Sequence, residues 1–291
     1  MPVGLGSPSD LPPAPGIPEA GRSATPATNS MPAAGSTLLI LDRVRISYRL
    51  RSGVVTAVAD ATFHVGREER LILIGPSGCG KSTLLKAVAG FIQPDGGTIT
   101  FDGRSDLTPS PDRAVVFQEF DQLFPWRTVM GNVEYPLRVT GHERAEARRR
   151  ADYFLEMTGL AGAADRYPHE LSGGMKQRVA IARALALEPV MLLMDEPFGS
   201  LDAITRVRLQ GELKRIADVT KVAILFVTHS IVEALTVGDR IVVLSSPPSH
   251  VLIDLDVRAL KGPGDPKYVQ VEQQLRELLG GMDKELPGAE F

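Results

Sequence analysis

The fold is determined by one short segment, which reads Gly75-Pro76-Ser77-Gly78-Cys79-Gly80-Lys81-Ser82-Thr83. An apolar run at 71–74 precedes the segment, and a helix-forming run at 82–89 follows it. Its spacing fits G-x-x-x-x-G-K-[ST], in which glycines let the backbone curl around a diphosphate and a helix points its positive end there. In such a loop Lys81 reaches the β- and γ-phosphates, and the Ser82 hydroxyl completes the shell of a Mg²⁺ ion. We therefore predict a strand, a phosphate-binding loop and a helix; the alternative is a glycine-rich turn that matches by chance.

The composition is that of an ordinary globular protein. A chain of 291 residues can bury a sizeable core, and its net charge of −3 argues against a dominant nucleic-acid-binding surface. The one cysteine, Cys79, cannot form an internal disulfide, which fits a reducing compartment. We see no apolar stretch near the roughly 18 residues that span a bilayer, and no signal peptide. Any membrane association is therefore expected to require a partner.

The first half of the chain divides by composition. Residues 1–36 are dominated by Pro, Ala, Gly and Ser, and we expect a disordered tail there. Short β-rich runs then predict an antiparallel sheet ahead of the phosphate-binding loop, at 38–41, 44–48, 53–58 and 61–65. Further strands are expected at 96–103 and 115–117. Residues 119–172 have helical character, with helices expected at 132–139 and 143–157.

The second half alternates between helices and strands. Helices are expected at 175–187 and 203–219, and continuous apolar runs predict buried strands at 190–194, 222–227 and 241–244. This alternation indicates an α/β sheet that binds ligands at the carboxyl ends of its strands. Beyond Ser245 the pattern is less regular. We assign residues 37–250 to the main domain and 251–291 to a C-terminal extension, in which a short amphipathic helix is expected from the spacing of Tyr268, Val271, Leu275, Leu278 and Leu279.

Two acids, Asp195 and Glu196, end the apolar run at 190–194. An aspartate at this place can hold Mg²⁺, usually through water, and the adjacent glutamate can polarise an attacking water. Either acid alone could be an ordinary residue of a turn at a strand end. Two acids after a buried strand, in a chain with a phosphate-binding loop, favour the catalytic interpretation.

A second candidate anion-binding element is Leu171-Ser172-Gly173-Gly174-Met175. It offers a serine hydroxyl and glycine N–H groups at the start of a helix, where a phosphate is favoured. Since the domain already has one phosphate-binding loop, the second element makes sense if it serves the nucleotide of another subunit. The alternative is an N-capping Ser172 beside a glycine-rich hinge.

Taken together, these motifs resemble those of the ATP-binding subunits of ABC transporters, over about residues 38–250. The resemblance covers the Walker A loop (75–83), the Q-loop glutamine Gln118, the signature (171–175) and the Walker B strand (190–196). It extends to the D-loop, Ser200-Leu201-Asp202, and to the switch histidine His229. The resemblance implies an α/β P-loop NTPase core of mostly parallel sheet, an antiparallel β subdomain and an inserted helical subdomain at about 119–172.

The resemblance also implies roles for individual residues. Two copies of the chain, or this chain and a homologous ATPase, would form a head-to-tail dimer with two ATP molecules at its interface, each facing Ser172 and Gly174 of the opposite subunit. Gln118 would contact Mg²⁺ and the attacking water. Glu196 would be the general base and His229 would hold the γ-phosphate. Tyr48 resembles the aromatic residue that stacks on adenine.

A further element, Leu123-Phe124-Pro125-Trp126, resembles one found in the nitrate, sulfonate and taurine importer group. Part of its apolar surface is expected to receive a helix of a membrane permease, the alternative being that Phe124 and Trp126 are only core residues. The resemblance implies a peripheral protein at the cytoplasmic face of the membrane that meets an extracytoplasmic solute-binding protein indirectly, with no nucleic-acid partner. The sequence does not identify the solute. A soluble ABC ATPase in DNA repair or translation, and a small-molecule kinase, are weaker alternatives.

Overall fold

The computed structural model describes residues 37–51, 53–118 and 122–282. The tail predicted for residues 1–36 lies outside the described residues. Nine strands occur in the described part of the chain: β1 Thr37–Leu50, β2 Gly53–Gly66, β3 Arg70–Ile74, β4 Gly96–Phe101, β5 Arg113–Val116, β6 Met191–Asp195, β7 Ala223–Thr228, β8 Arg240–Leu244 and β9 Ser249–Asp256. Its α-helices are α1 Lys81–Val88, α2 Val129–Val139, α3 Arg144–Met157, α4 Gly173–Leu185, α5 Ala203–Thr220, α6 Ile231–Val237 and α7 Pro266–Met282.

The strands form one mixed sheet in the order β4-β1-β2-β9-β8-β3-β7-β6-β5. The run from β8 to β5 is parallel, and its central strands are buried on both faces, as their continuous apolar sequences predicted. Strands β3, β6 and β7 therefore end at the same edge of the sheet. This edge brings the phosphate-binding loop, the acid pair and His229 together, which is where an α/β sheet binds its ligands.

Strands β1, β2 and β4 pair antiparallel at one end of the sheet, and β9 also pairs antiparallel with β8. The sequence suggested four short strands before the phosphate-binding loop, whereas the structure has two long ones. The polar residues that interrupt the apolar runs, such as Asp42 and Arg43, lie at register shifts between β1 and β2 and not at turns. A β-bulge of this kind bends a strand without ending it, which a count of apolar runs does not reveal.

The helical insertion packs α2 and α3 against α4. Both α2 and α4 begin a few residues earlier than the sequence suggested, because each is extended by an N-capping side chain. The Thr128 hydroxyl accepts a hydrogen bond from Gly131 N at 3.1 Å, and the Ser172 hydroxyl accepts one from Met175 N at 3.4 Å. The fold class predicted from the sequence is confirmed in each of its three parts.

Residues 249–282 contain more regular secondary structure than the sequence pattern indicated. The boundary placed at residue 250 lies within β9, which pairs with β8 on one side and β2 on the other. Helix α6 was also missed, because its seven residues are too few to show a period. The helix α7 was expected, and its buried residues Tyr268, Leu275 and Met282 join the main core. Among the described helices, none combines the length and apolar character needed to cross a bilayer.

Candidate functional site

The loop between β3 and α1 is closed around the side chain of Lys81. Although it carries a charge, Lys81 is 5% exposed, and its Nζ donates hydrogen bonds to the carbonyl oxygens of Gly75 and Pro76, both at 2.9 Å. Carbonyl oxygens are weaker partners for an ammonium group than a phosphate is. The loop thus holds a buried cation against two neutral carbonyl oxygens.

Two glycines of this loop are required by its backbone. Gly78 has φ +76° and Gly80 has φ +94°, in the region that side-chain-bearing residues rarely adopt. A Cβ on Gly80 would also lie 2.8 Å from Val58 Cγ2 on β2. The motif's glycines therefore follow from backbone geometry as well as from the need to approach a phosphate.

Ser82 and Asp195 face each other across the edge of the sheet. The Ser82 hydroxyl donates a hydrogen bond to Asp195 Oδ1 at 2.8 Å. Burial raises the pKa of the Asp195 carboxyl above its usual value, and the charge of Glu196 raises it further, while the Ser82 hydrogen bond acts in the opposite direction. A carboxylate in this position gains stability from a nearby cation.

Glu196 and His229 are in contact. Glu196 Oε2 lies 3.0 Å from His229 Nδ1, and Glu196 N donates a hydrogen bond to Val227 O at 2.9 Å. Glu196 has φ +43°, an uncommon conformation for a residue with a side chain, which concentrates at functional sites. The imidazole is exposed and the carboxylate is about one-fifth exposed, and Glu196 lines the adjoining cleft.

Gln118 lies beside this pair, at the end of β5. A Cβ built on Gly199 would lie 3.5 Å from Gln118 Nε2 and 3.8 Å from Glu196 Oε2, so both side chains approach the same glycine. The side chain of Gln118 is exposed. The structure therefore brings Gln118, Glu196 and His229 together as the sequence suggested.

A cleft of about 480 Å³ extends from Glu196 along the phosphate-binding loop to Tyr48. The Tyr48 hydroxyl lies 2.9 Å from Thr83 Oγ1, which places the ring at the end of the cleft formed by β1 and β2. The lining residues are Tyr48, Val55, Thr56, Ala57, Ser77, Gly78, Gly80, Lys81, Ser82, Thr83, Glu196 and Pro247. Sequence analysis missed the contributions of 55–57 and of Pro247, because they come from ordinary strand and turn residues that only the folded sheet brings to the loop.

Cys79 lies inside the loop and is fully buried. Its Sγ lies 3.9 Å from Lys81 Nζ, and it would lie 2.8 Å from a Cβ on Gly75. Burial raises the pKa of the thiol above its usual value, although the nearby lysine charge acts in the opposite direction. Both burial and the raised pKa reduce its reactivity at neutral pH.

The signature segment lies away from this cleft. Ser172 is exposed at the start of α4, and neither it nor Gly174 is among the described residues that line the cleft. Gly174 is packed so closely against α5 that a Cβ there would lie 2.6 Å from Thr205 Cγ2. The structure thus separates the segment 171–175 from the loop 75–83 within one chain.

The segment Ser200-Leu201-Asp202 connects the acid pair to α5. Asp202 caps this helix, since its Oδ1 accepts a hydrogen bond from Thr205 N at 3.0 Å. This hydrogen bond lowers the pKa of the Asp202 carboxyl. Ser200 is exposed and Leu201 is buried, so the segment has one side in the core and the other at the surface.

The aromatic element at 123–126 forms a surface cluster. The ring of Phe124 lies 5.6 Å from that of Trp126 and 4.9 Å from that of Tyr135, and Arg127 lies over Tyr135. Leu123 is buried, whereas Trp126 is 71% exposed. The cluster therefore combines a core anchor with an exposed aromatic surface.

Comparisons with known proteins agree with this geometry. A family model described as ABC transporter matches residues 58–199. The chain is 44% identical to the taurine import ATP-binding protein TauB of Rhizobium johnstonii, over 83% of this chain and 93% of that protein. It is 40% identical to the nitrate import ATP-binding protein NrtD of Synechocystis sp., over 84% and 95% of the two chains.

A solved structure also matches. The dimeric structure of MJ0796, described as a bacterial ABC transporter cassette, superposes with a TM-score of 0.68 at 32% identity, covering 77% of this chain and all of that one. A second dimeric structure of MJ0796, in a post-hydrolysis state bound to ADP and Pi, gives a TM-score of 0.67 at 31% identity, with the same coverage.

Proposed function

The chain belongs to the ABC transporter family as an ATP-binding and ATP-hydrolysing cassette, and on that premise we propose that it powers an importer for a small anionic or sulfonate-like solute. The observation that supports the catalytic part most directly is the 3.0 Å contact between Glu196 and His229 beside the phosphate-binding loop. The named relatives are subunits of taurine and nitrate importers, which supports the transport part. They give no support to a role in DNA repair or translation.

ATP is proposed to bind in the cleft between Tyr48 and Glu196. Its phosphates would lie in the loop formed by Gly75, Pro76, Ser77, Gly78, Cys79, Gly80, Lys81, Ser82 and Thr83. The residues other than Pro76 would supply backbone N–H groups, and Lys81 would supply its ammonium group. Lys81 would then leave the carbonyl oxygens that it now contacts. Tyr48, at the far end of the cleft, would stack on the adenine ring.

Ser82 and Asp195 fit a Mg²⁺ ion. Their oxygens face each other at 2.8 Å, and oxygen is the ligand that Mg²⁺ prefers. A few protein oxygens together with nucleotide phosphates are the usual ligands of Mg²⁺ at a nucleotide site. When bound, Mg²⁺ would neutralise phosphate charge. We propose Gln118 as a further ligand.

Hydrolysis requires a base for the attacking water. We propose that Glu196 accepts a proton from that water while the water oxygen bonds to the γ-phosphorus and ADP leaves. His229, in contact with Glu196 Oε2, would hold the γ-phosphate and orient the carboxylate. Gln118, which approaches the same glycine as Glu196, would orient the water.

A second copy of the chain, or a homologous ATPase, would complete the site. Leu171, Ser172, Gly173, Gly174 and Met175 surround the start of α4 and do not line the chain's own cleft, and an anion is favoured at a helix N-terminus. We propose that this N-terminus faces the γ-phosphate bound by the partner. The D-loop residues Ser200, Leu201 and Asp202 would lie beside the same interface. The solved cassette MJ0796 is itself dimeric.

The transport partner is proposed to be an integral membrane permease, which would hold the ATPase at the cytoplasmic face of the membrane. The aromatic cluster around Trp126 is the surface proposed to receive it, because a large exposed aromatic side chain beside a buried anchor is typical of an interaction site. An extracytoplasmic solute-binding protein would deliver the solute to the permease and would not touch this chain.

The Glu196→Gln variant tests the catalytic proposal. It should still bind ATP, and its turnover should fall by roughly 10²- to 10⁴-fold, the usual contribution of a positioned base. Phosphate release and retention of labelled ATP are measured on the same preparation. Near-normal hydrolysis by this variant would contradict the assignment of Glu196, whereas lost ATP binding would indicate a damaged fold.

A further inference from the structure

The two residues that flank His229 are both hydrogen-bonded to Glu233, Thr228 through the carboxylate and Ser230 through the backbone N–H. Glu233, on α6, is 4% exposed, and its Oε2 accepts a hydrogen bond from the Thr228 hydroxyl at 2.6 Å. The same hydroxyl accepts a hydrogen bond from Ser230 N at 3.0 Å, and Glu233 N donates one to the Ser230 hydroxyl at 3.3 Å. Glu233 therefore fixes the backbone on both sides of His229.

This carboxylate is also linked to the loop before α5. Its other oxygen, Oε1, lies 3.8 Å from Arg206 Nε, and Arg206 Nη2 donates a hydrogen bond to Leu201 O at 2.9 Å. Leu201 is the central residue of the segment 200–202. A continuous chain of contacts thus runs from that segment, through Arg206 and Glu233, to the flanks of His229.

We propose that Glu233 and Arg206 are positioning residues that adjust His229 to the position of the segment 200–202. The proposal rests on the proposed function, in which that segment lies at the interface with the second ATPase. A displacement of Leu201 moves the guanidinium of Arg206, which is hydrogen-bonded to the Leu201 carbonyl. Arg206 in turn moves the carboxylate of Glu233, which accepts the hydrogen bond of the Thr228 hydroxyl. His229 is then held against Glu196 when the segment is in its place, and is released when it is not.

The charges are essential to this arrangement. A buried carboxylate that loses its cation is left with an uncompensated charge, so the two side chains move together. A neutral substitute at residue 233 can keep the hydrogen bond to the Thr228 hydroxyl and lose the attraction to Arg206. Glu233→Gln therefore separates the link to the loop from local support of the strand end.

The experiment compares steady-state ATP hydrolysis and melting temperature for Glu233→Gln, Arg206→Met and Arg206→Lys. The matched control is Glu212→Gln, which removes a carboxylate from another arginine pair of α5, Arg178 Nε to Glu212 Oε2 at 3.0 Å. We expect kcat to fall roughly 10- to 100-fold in Glu233→Gln and Arg206→Met, the scale of an ångström-sized misplacement of a catalytic group, with KM for ATP within about twofold. Arg206→Lys, which keeps the positive charge, should have a higher kcat than Arg206→Met. The control Glu212→Gln should have the kcat of the unaltered chain.

The same substitutions in a His229→Ala background decide whether the effect passes through His229. In that background we expect no further fall in kcat, whereas a second fall in kcat of equal size would overturn the proposal. Unchanged kcat in folded Glu233→Gln would also overturn it, with the proposed function left standing. If the unaltered chain itself fails to hydrolyse ATP, the proposed function fails. The inference is then decided by the NMR signals of the His229 imidazole, which Glu233→Gln must shift and Glu212→Gln must leave in place.

Discussion

Asn132 anchors the aromatic element, and its replacement by alanine gives a quantitative test of the structure. The side chain is fully buried on α2. Its Oδ1 accepts a hydrogen bond from Phe124 N at 2.8 Å, and its Nδ2 donates to the carbonyl oxygens of Phe124, Arg127 and Thr128 at 3.0–3.1 Å. One amide thus holds both ends of the segment that presents Trp126.

The cost of Asn132→Ala follows from the groups that lose their partner. The carbonyl of Phe124 keeps a bond from Arg127 N, and that of Thr128 keeps one from Asn132 N. The substitution therefore affects chiefly two groups, Phe124 N and Arg127 O. At about 1–3 kcal/mol for each unpaired group, the free energy of unfolding should fall by roughly 2–4 kcal/mol once the partial exposure of the segment is allowed for. For a chain of this size that is a decrease in Tm of roughly 4–16 °C.

The assay is thermal unfolding followed by circular dichroism. Val139→Ala is the matched control, because it shortens an exposed side chain of the same helix and should change stability by less than about 0.5 kcal/mol. A decrease in Tm below about 2 °C for Asn132→Ala would refute the reasoning, since the two backbone groups would then be satisfied without the amide.

Two further predictions concern the phosphate-binding elements. Gly174→Ala should lower the free energy of unfolding by about 1–3 kcal/mol, because the added Cβ would lie 2.6 Å from Thr205 Cγ2. Adding Thr205→Ser, which removes that methyl group, should restore part of the lost stability. No recovery in the double variant would point to a different clash. Cys79 should react slowly with a maleimide at neutral pH because burial raises the pKa of its thiol, and faster as the pH rises and the reactive thiolate forms. Bound ATP should slow the reaction further, and equal rates with and without ATP would show that the nucleotide does not cover the loop.

Much of the fold follows from the sequence because its strongest signals are local. The parallel strands were recognisable as short continuous apolar runs, and the phosphate-binding loop has a fixed spacing that its backbone geometry explains at Gly78 and Gly80. The Walker B acids could be assigned because they end such a strand. These features are determined by neighbours in the sequence.

Other features were missed because they depend on residues far apart in the chain. Strand β9 is stabilised by pairing with β2 and β8, and its own sequence gives only a weak pattern after two prolines. Pro247 reaches the nucleotide cleft only because that pairing places its turn there. The contacts among Leu201, Arg206 and Glu233 join three separate elements, and neither Arg206 nor Glu233 stands out in the sequence.

The central claim is that this chain drives a membrane importer, and purification of the tagged full chain from membranes in mild detergent tests it most directly. We predict recovery of an integral membrane permease, together with identification of a solute-binding protein expressed alongside it whose ligand can be titrated. A Trp126→Ala variant, altered at an exposed position, should recover less permease at equal ATP hydrolysis. Recovery of ribosomes or DNA without a permease would contradict the transport role and leave the ATPase chemistry in place.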